Sequence, residues 1–224
     1  MYQACIFDLD GTLANTLDSI AYFANAALEE CGYPTINTEK YRYLVGNGAD
    51  VLMRGMLREA SPSGFTEDDV FWLRKTYDAL YESDPMHFVS GYDGIPKLLS
   101  RLRKNGVRLA VLSNKPHNVT EQVVGGLFPP GTFDLCFGQR PNVARKPSPQ
   151  GALIIARGLH VDPGSCLYIG DTNVDMKTGK AAGMTTVGVL WGFRDRHELE
   201  ESHADYIVQH PGEIYQIAEQ RELA

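Results

Sequence analysis

Cysteine is scarce in this chain. Four cysteines occur among 224 residues, and none stands in a C-x-x-C pair. That pattern argues against a zinc ribbon or a thioredoxin-type redox site. Cys5, Cys31, Cys136 and Cys166 instead read as small hydrophobes of a reducing cytosol, three of them in strand-like surroundings. Positive charge is also in deficit. The 21 lysines and arginines face 28 acids, a net charge of -7. Bulk nucleic acid and anionic membrane surfaces select basic partners, so neither is expected here. A small anion stays compatible, because a few local cations and backbone amides can hold one. No apolar run approaches the ~20 residues of a membrane span. The start, MYQACIFDLDG, has no basic region and meets acid at once, unlike a secretory signal. A cytoplasmic protein is expected. The six histidines, at positions 87, 117, 160, 197, 203 and 210, are scattered without metal-ligand spacing and read as surface or packing residues. No G-x-x-x-x-G-K-[ST] phosphate loop occurs: Gly179-Lys180 has no hydroxyl after it and no earlier glycine in place.

What is present is globular composition, 43% hydrophobic and 22% charged, with length for one or two domains. Short apolar runs recur: ACIFDL, RLAVLS, FDLCFG, SCLYIG and TTVGVL. Such runs suit parallel strands covered on both faces. Helical segments alternate with them. In GIPKLLSRLRKNG, Ile95, Leu98, Leu99 and Leu102 share one face, and Gly106 marks the stop. SPQGALIIARGLH and NVDMKTGKAAG follow the same logic. The tail adds one short strand, DYIV, and a final helix. The span from Leu17 to Met86 breaks the alternation, with helical periods and no convincing strand. The expected fold class is α/β: a Rossmann-like, doubly wound parallel sheet with an inserted all-helical cap. Residues 1–14 and 88–224 would form the core, and 15–87 the cap.

In an open parallel sheet, ligands gather where strands end at their carboxyl side. After the first strand come Asp8, Asp10, Gly11 and Thr12. After RLAVL come Ser113, Asn114 and Lys115. After SCLYI comes GDTNVD, with Asp171 and Asp175. RKPSP, with Lys146, precedes the helix SPQGALIIARGLH. A lone D-x-D-G is commonly a turn, but four polar clusters in phase with strand ends indicate a site. A calcium loop does not fit, since Gly11 falls at the fourth position instead of the sixth and apolar residues follow. Lys115 reads equally well as a helix-start lysine or as part of the cluster.

DLDGTL, SNK, KP and GDTNVD, in this order, resemble the four motifs of the haloacid dehalogenase superfamily of phosphohydrolases. The resemblance covers the whole chain, and LVGNGADVLM, FVSGYDGIPKLLSRL and LWGFRDRHEL are similar to its phosphoglycolate phosphatase branch. It implies Asp8 as nucleophile and metal ligand. It implies Asp10 as general acid and base, also binding metal through its main-chain carbonyl. Asp171 would be the other direct ligand and Asp175 a support behind it. Ser113 and Asn114 would bind phosphoryl oxygens, and Lys146 would offset their charge. The implied cofactor is Mg²⁺, and the implied partner a small phosphorylated metabolite, with 2-phosphoglycolate first. The oligomeric state is left between monomer and homodimer. The chemistry suits the residues: a carboxylate can accept a phosphoryl group, and a hard cation relieves the repulsion between the two anions. Crowding of carboxylates is expected to keep Asp10 protonated for the leaving group. In GNGAD, residues Gly46, Asn47 and Gly48 form either a plain helix start or a substrate-facing loop of the cap. A sugar phosphomutase, and a pyrophosphatase or nucleotidase of the same cap type, share these motifs. A silent binding protein of this fold would be expected to have lost Asp8, Asp10, Lys146 or Asp171.

Overall fold

The structure is a computed structural model and describes residues 1–220. The chain begins with β1 (Ala4–Phe7) and β2 (Ala14–Asn15). Four helices follow with no strand between them: α1 (Leu17–Glu30), α2 (Thr38–Leu44), α3 (Ala49–Ala60) and α4 (Glu67–Ser83). A two-residue strand, β3 (Ser90–Gly91), opens an alternating series. It runs α5 (Ile95–Lys104), β4 (Arg108–Pro116), α6 (His117–Leu127), β5 (Leu135–Gln139), α7 (Gln150–Leu159) and β6 (Cys166–Gly170). It ends with α8 (Asn173–Ala181), β7 (Thr185–Val189), α9 (Arg196–Glu201), β8 (Tyr206–Val208) and α10 (Pro211–Glu219).

Six strands form one parallel sheet in the order β5-β4-β1-β6-β7-β8. Every residue of β1 and β6 is buried, as their unbroken apolar runs require. Residues along a strand alternate between faces. Cys5, Phe7, Leu109 and Val111 share one hydrophobic cluster with α5, α6 and the helical segment. Ala4, Ile6, Ala110 and Tyr168 enter another, against Ala152, Ile155 and Leu159 of α7. Burial pushes the Cys136 thiol up to about 11, and all four cysteines are free thiols. No helix among the described residues is long and apolar enough to cross a membrane.

The order of the sheet positions the chemistry. From β1 the chain builds outward through β4 and β5 on one side, then through β6, β7 and β8 on the other. β1 is therefore the switch point, where the crevice beyond the strand ends opens. The helical segment α1–α4 leaves the sheet just after this point. Its two connections run side by side as an antiparallel ribbon, with Ala14 paired to Gly91 and Asn15 to Ser90. Inside the segment, Leu28, Tyr41, Met53, Leu57 and Leu73 are fully buried. Helix α4 starts at a capping box in which Thr66 and Asp69 satisfy each other's backbone N–H groups.

No apolar run or stripe in the sequence marks this ribbon, α2 or α9. The apolar run RLAVLS stops at Ser113, whereas β4 continues through Pro116 past an irregularity in register after Leu112.

Candidate active site

Asp8 and Asp10 flank the exit from β1. The turn behind them winds around one carbonyl: the N–H groups of Thr12, Leu13 and Ala14 all donate to the Leu9 oxygen. Gly11 has φ +83°, and a Cβ there would lie 2.2 Å from Asp171 Oδ2. Only glycine suits that conformation and that contact. Asp8 Oδ1 accepts from the Leu9 N–H at 2.7 Å and lies 2.8 Å from Lys146 Nζ. The same ammonium donates to Asp175 Oδ1 at 2.8 Å. Asp175 Oδ2 accepts from the Thr172 N–H and hydroxyl, closing a capping box at the start of α8. Both oxygens of Asp175 are thus engaged, so it orients Lys146 and fixes the loop after β6. Asp171 Oδ1 accepts from the Thr12 hydroxyl at 3.1 Å, and its Oδ2 accepts from the Phe193 N–H at 2.8 Å.

Carboxylate oxygens of Asp8, Asp171 and Asp175 lie within 4.8 Å of one another, all three residues buried. Burial and the Asp175 charge raise Asp8 well above the usual carboxylate range, against the pull of Lys146. Burial, then Asp175, pushes Asp171 up to about 7, against the Phe193 and Thr12 hydrogen bonds. Burial alone would lower Lys146, but Asp175 and Asp8 outweigh it and hold its pKa high. One ammonium facing three buried carboxylates leaves a surplus of negative charge on oxygen donors. That donor set fits a hard divalent cation.

Across the crevice, the irregular end of β4 presents Ser113, Asn114 and Lys115. Ser113 is buried and lines the cleft, its hydroxyl oxygen accepting from the Lys115 N–H at 3.2 Å. Asn114 spans two backbones: its amide N–H groups donate to the Gly46 and Lys146 carbonyls, and its oxygen accepts from the Lys146 N–H. The Asn114 side chain is therefore a strut between two backbones, with its amide N–H groups already engaged. The floor of the cleft includes Asp8, Asp10, Ser113, Lys115 and Lys146. Its roof comes from the helical segment, with Ile20, Leu52, Tyr77, Asp78, Tyr81 and Glu82. Gly46 and Gly48 line this cleft; Asn47 is exposed and does not.

The sequence matches the haloacid dehalogenase-like hydrolase family over residues 5–189. The chain belongs to that family. This hydrolase is 30% identical to a phosphoglycolate phosphatase of Aquifex aeolicus over 215 residues, 96% of either chain. It is also 30% identical to the N-acetylmuramic acid 6-phosphate phosphatase of Pseudomonas aeruginosa, over 96% of this chain and 94% of that one. A crystal structure from Haemophilus somnus, described as a predicted phosphoglycolate phosphatase, superposes with a TM-score of 0.90 at 25% identity. It covers 97% of this chain and 98% of its own. The hydrolase is a phosphatase resembling phosphoglycolate phosphatases.

Several contacts of this hydrolase were not read from the sequence. Thr12 and Phe193 hold Asp171, and a Cβ on Gly192 would strike Asp171 Cβ at 2.3 Å. A threonine after D-x-D-G was the available signal; the Phe193 contact crosses the fold and leaves no local trace. Asp10 departs from the crowding expectation. Its carboxylate lies outside the cluster of Asp8, Asp171 and Asp175 and is held by Lys115 and Thr16. At the seam with the helical segment, Asp50 of α3 bridges Arg145 and Arg74, at 3.2 and 2.6 Å. Arg194 donates to the Val45 carbonyl at 3.0 Å.

Proposed function

We propose that this phosphatase is a Mg²⁺-dependent phosphomonoester hydrolase working through an aspartyl-phosphate on Asp8. The observation that carries the reading is the position of Asp8. It stands at the switch point of the sheet, with Oδ1 held by Leu9 and Lys146 and Oδ2 free of hydrogen bonds among the described residues. Oδ2 would attack phosphorus, forming an acyl phosphate as the bond to the leaving alkoxide breaks. Asp10, released from Lys115 and protonated, would give that proton to the alkoxide, then take one from the water that attacks phosphorus and frees Asp8. Ser113 and Lys146 would meet the charge on the transferring group. Asp8, Asp171 and the Asp10 main-chain carbonyl would hold Mg²⁺, with Asp175 behind them. When bound, the ion offsets charge between nucleophile and phosphate. Residues 15–87 would act as a cap over a core of 1–14 and 88–224, hinged at the β2–β3 ribbon. Four free thiols suit a reducing cytoplasm.

The names of the relatives support 2-phosphoglycolate as substrate. Backbone amides where α3 begins, at Gly48, would face its carboxylate. A second reading follows from the roof. Beyond Lys115 and Lys146, both already paired with acids, the cleft offers Asp78, Glu82, two tyrosines and aliphatic surface. Such a wall favours hydroxyl donors over a carboxylate, as in a phosphorylated sugar. Comparing kcat/KM for 2-phosphoglycolate with hexose 6-phosphates, with Mg²⁺ and in excess chelator, decides the matter. Phosphoglycolate at least tenfold ahead supports the first reading, and a sugar phosphate ahead the second. Full turnover in chelator removes the metal.

A further inference from the structure

The loop after β7 crosses the end of β6 to reach the turn after β1, because β6 lies between those two strands. Its first residue is tied outward: the Leu190 N–H donates to the Val208 carbonyl at 3.0 Å. Trp191, partly buried against the core, ties it inward. Its indole Nε1–H donates to the Thr12 carbonyl at 3.0 Å. Gly192 then passes so close that a Cβ would lie 2.4 Å from the Gly11 carbonyl oxygen and 2.3 Å from Asp171 Cβ. The Phe193 N–H donates to Asp171 Oδ2 at 2.8 Å, and the Thr12 hydroxyl donates to Oδ1 at 3.1 Å. These contacts close a ring that runs from Asp171 through Thr12, Trp191 and Phe193 back to Asp171.

A carboxylate held at one oxygen can still turn about that contact. One donor on each oxygen fixes its plane and leaves each oxygen a further lone pair for a cation. The two donors here come from segments 181 residues apart, so something must hold those segments in register. Among the described residues, the indole bond is the only hydrogen bond that joins the two segments directly. We propose that Trp191 is a positioning residue for Asp171: by holding the turn after β1 against the loop after β7, it sets the spacing of the two donors that orient this carboxylate for a divalent cation. This rests on the reading of Asp171 as a metal ligand.

The consequence falls on metal affinity. Partners that orient a metal ligand from behind typically cost ten- to a hundredfold in affinity when removed. Trp191→Phe keeps an aromatic ring and removes the N–H. Calorimetry on chelator-treated protein should show its Kd for Mg²⁺ raised roughly tenfold. Thr12→Val removes the hydroxyl donor and should raise Kd roughly ten- to a hundredfold. The double variant should lose less than the product of the two single effects, because both act on one carboxylate; losses that multiply in full overturn the shared route. A tryptophan that only packed would lower the metal-free melting temperature and leave Kd unmoved. Asp171→Asn is run beside them. If it weakens Mg²⁺ binding and Trp191→Phe does not, the positioning role falls and the metal reading stands. If Asp171→Asn leaves Mg²⁺ affinity unchanged, the ligand assignment fails and takes the proposal with it. The chain has two tryptophans, and the other, Trp72 on α4, is exposed. In the nitrogen-15 NMR spectrum, the Trp191 indole signal should shift as Mg²⁺ is added, with its midpoint at the calorimetric Kd, while that of Trp72 stays put. Should Trp191→Phe not fold, this signal decides: a shift that tracks Mg²⁺ supports the proposal, and an unmoved one overturns it.

Discussion

Lys146 is one ammonium shared by two buried carboxylates, Asp8 and Asp175, each at 2.8 Å. Asp8→Asn keeps the shape and leaves Lys146 its Asp175 partner. Turnover should fall by more than about a thousandfold while the fold survives. The measurement is phosphate release, with mass spectrometry to exclude deamidation, and near-normal release would remove Asp8 as nucleophile. Asp171 makes a second claim, about pH. Its folded-state pKa is raised from 3.8 to about 7. Between those values the folded chain binds more protons than the unfolded one, so its stability falls as pH rises. Metal-free protein should therefore melt at a lower temperature at pH 7.5 than at pH 5, with part of that slope missing in Asp171→Asn. The proposed Mg²⁺ would bind the deprotonated form, so its stabilising effect should grow over the same window. Thermal unfolding in chelator checks both, and an unchanged slope in Asp171→Asn counts against the shift.

Helix α3 begins at Gly48, with φ +85° and room for a Cβ only if Arg145 moves: Nη1 would lie at 2.8 Å and Cδ at 3.2 Å. Gly48→Val adds backbone strain of about 1–3 kcal/mol, because φ +85° with ψ 164° suits only glycine, and pushes Arg145 off Asp50. Because Arg145 precedes Lys146, KM should rise for 2-phosphoglycolate and for aryl phosphate alike, roughly tenfold, or about 1.4 kcal/mol. Steady-state kinetics tests this, and a rise confined to phosphoglycolate would instead show the loop binding its carboxylate. Elements of this kind also show what was legible in advance. The inner strands β1, β4, β6 and β7 were readable because residues buried on both faces form continuous apolar runs, as CLYIG does, and the partly buried edge strands β5 and β8 carry shorter ones. The two-residue strands β2 and β3 had no such signal, since Asn15, Ser90 and Gly91 are exposed and their pairing is backbone alone. In α2 only Tyr41 is buried, so no stripe of apolar residues announced it. The motifs located Asp8, Asp171, Ser113 and Lys146 because chain order and strand ends suffice for that. They were silent on where Asp10 points, which depends on a lysine 105 residues away.

At the scale of the molecule, sheet and helical segment meet through a few polar ties: Asn114 to Gly46, Arg194 to Val45, and Arg145 to Asp50. The Asp50 pairs are half exposed, so each adds at most about 1 kcal/mol. Asp50→Asn should shift the melting temperature by no more than a few degrees yet lower kcat/KM several-fold, because it loosens the seam rather than either body. An unchanged kcat/KM would make the pair ornamental. The two threonines that begin helices α1 and α4 complete the picture. Thr66 bonds back to its own helix, whereas Thr16, in the same position, makes no such bond and gives its hydroxyl to Asp10. One hydroxyl closes its own helix and the other ties to the turn after β1. Thr66→Ala should weaken the protein by about 1 kcal/mol and leave turnover alone. Thr16→Ala should do the reverse, impairing turnover more than stability. Helix α1 has no side-chain cap of its own, and the threonine just before it instead ties the start of the helix to Asp10.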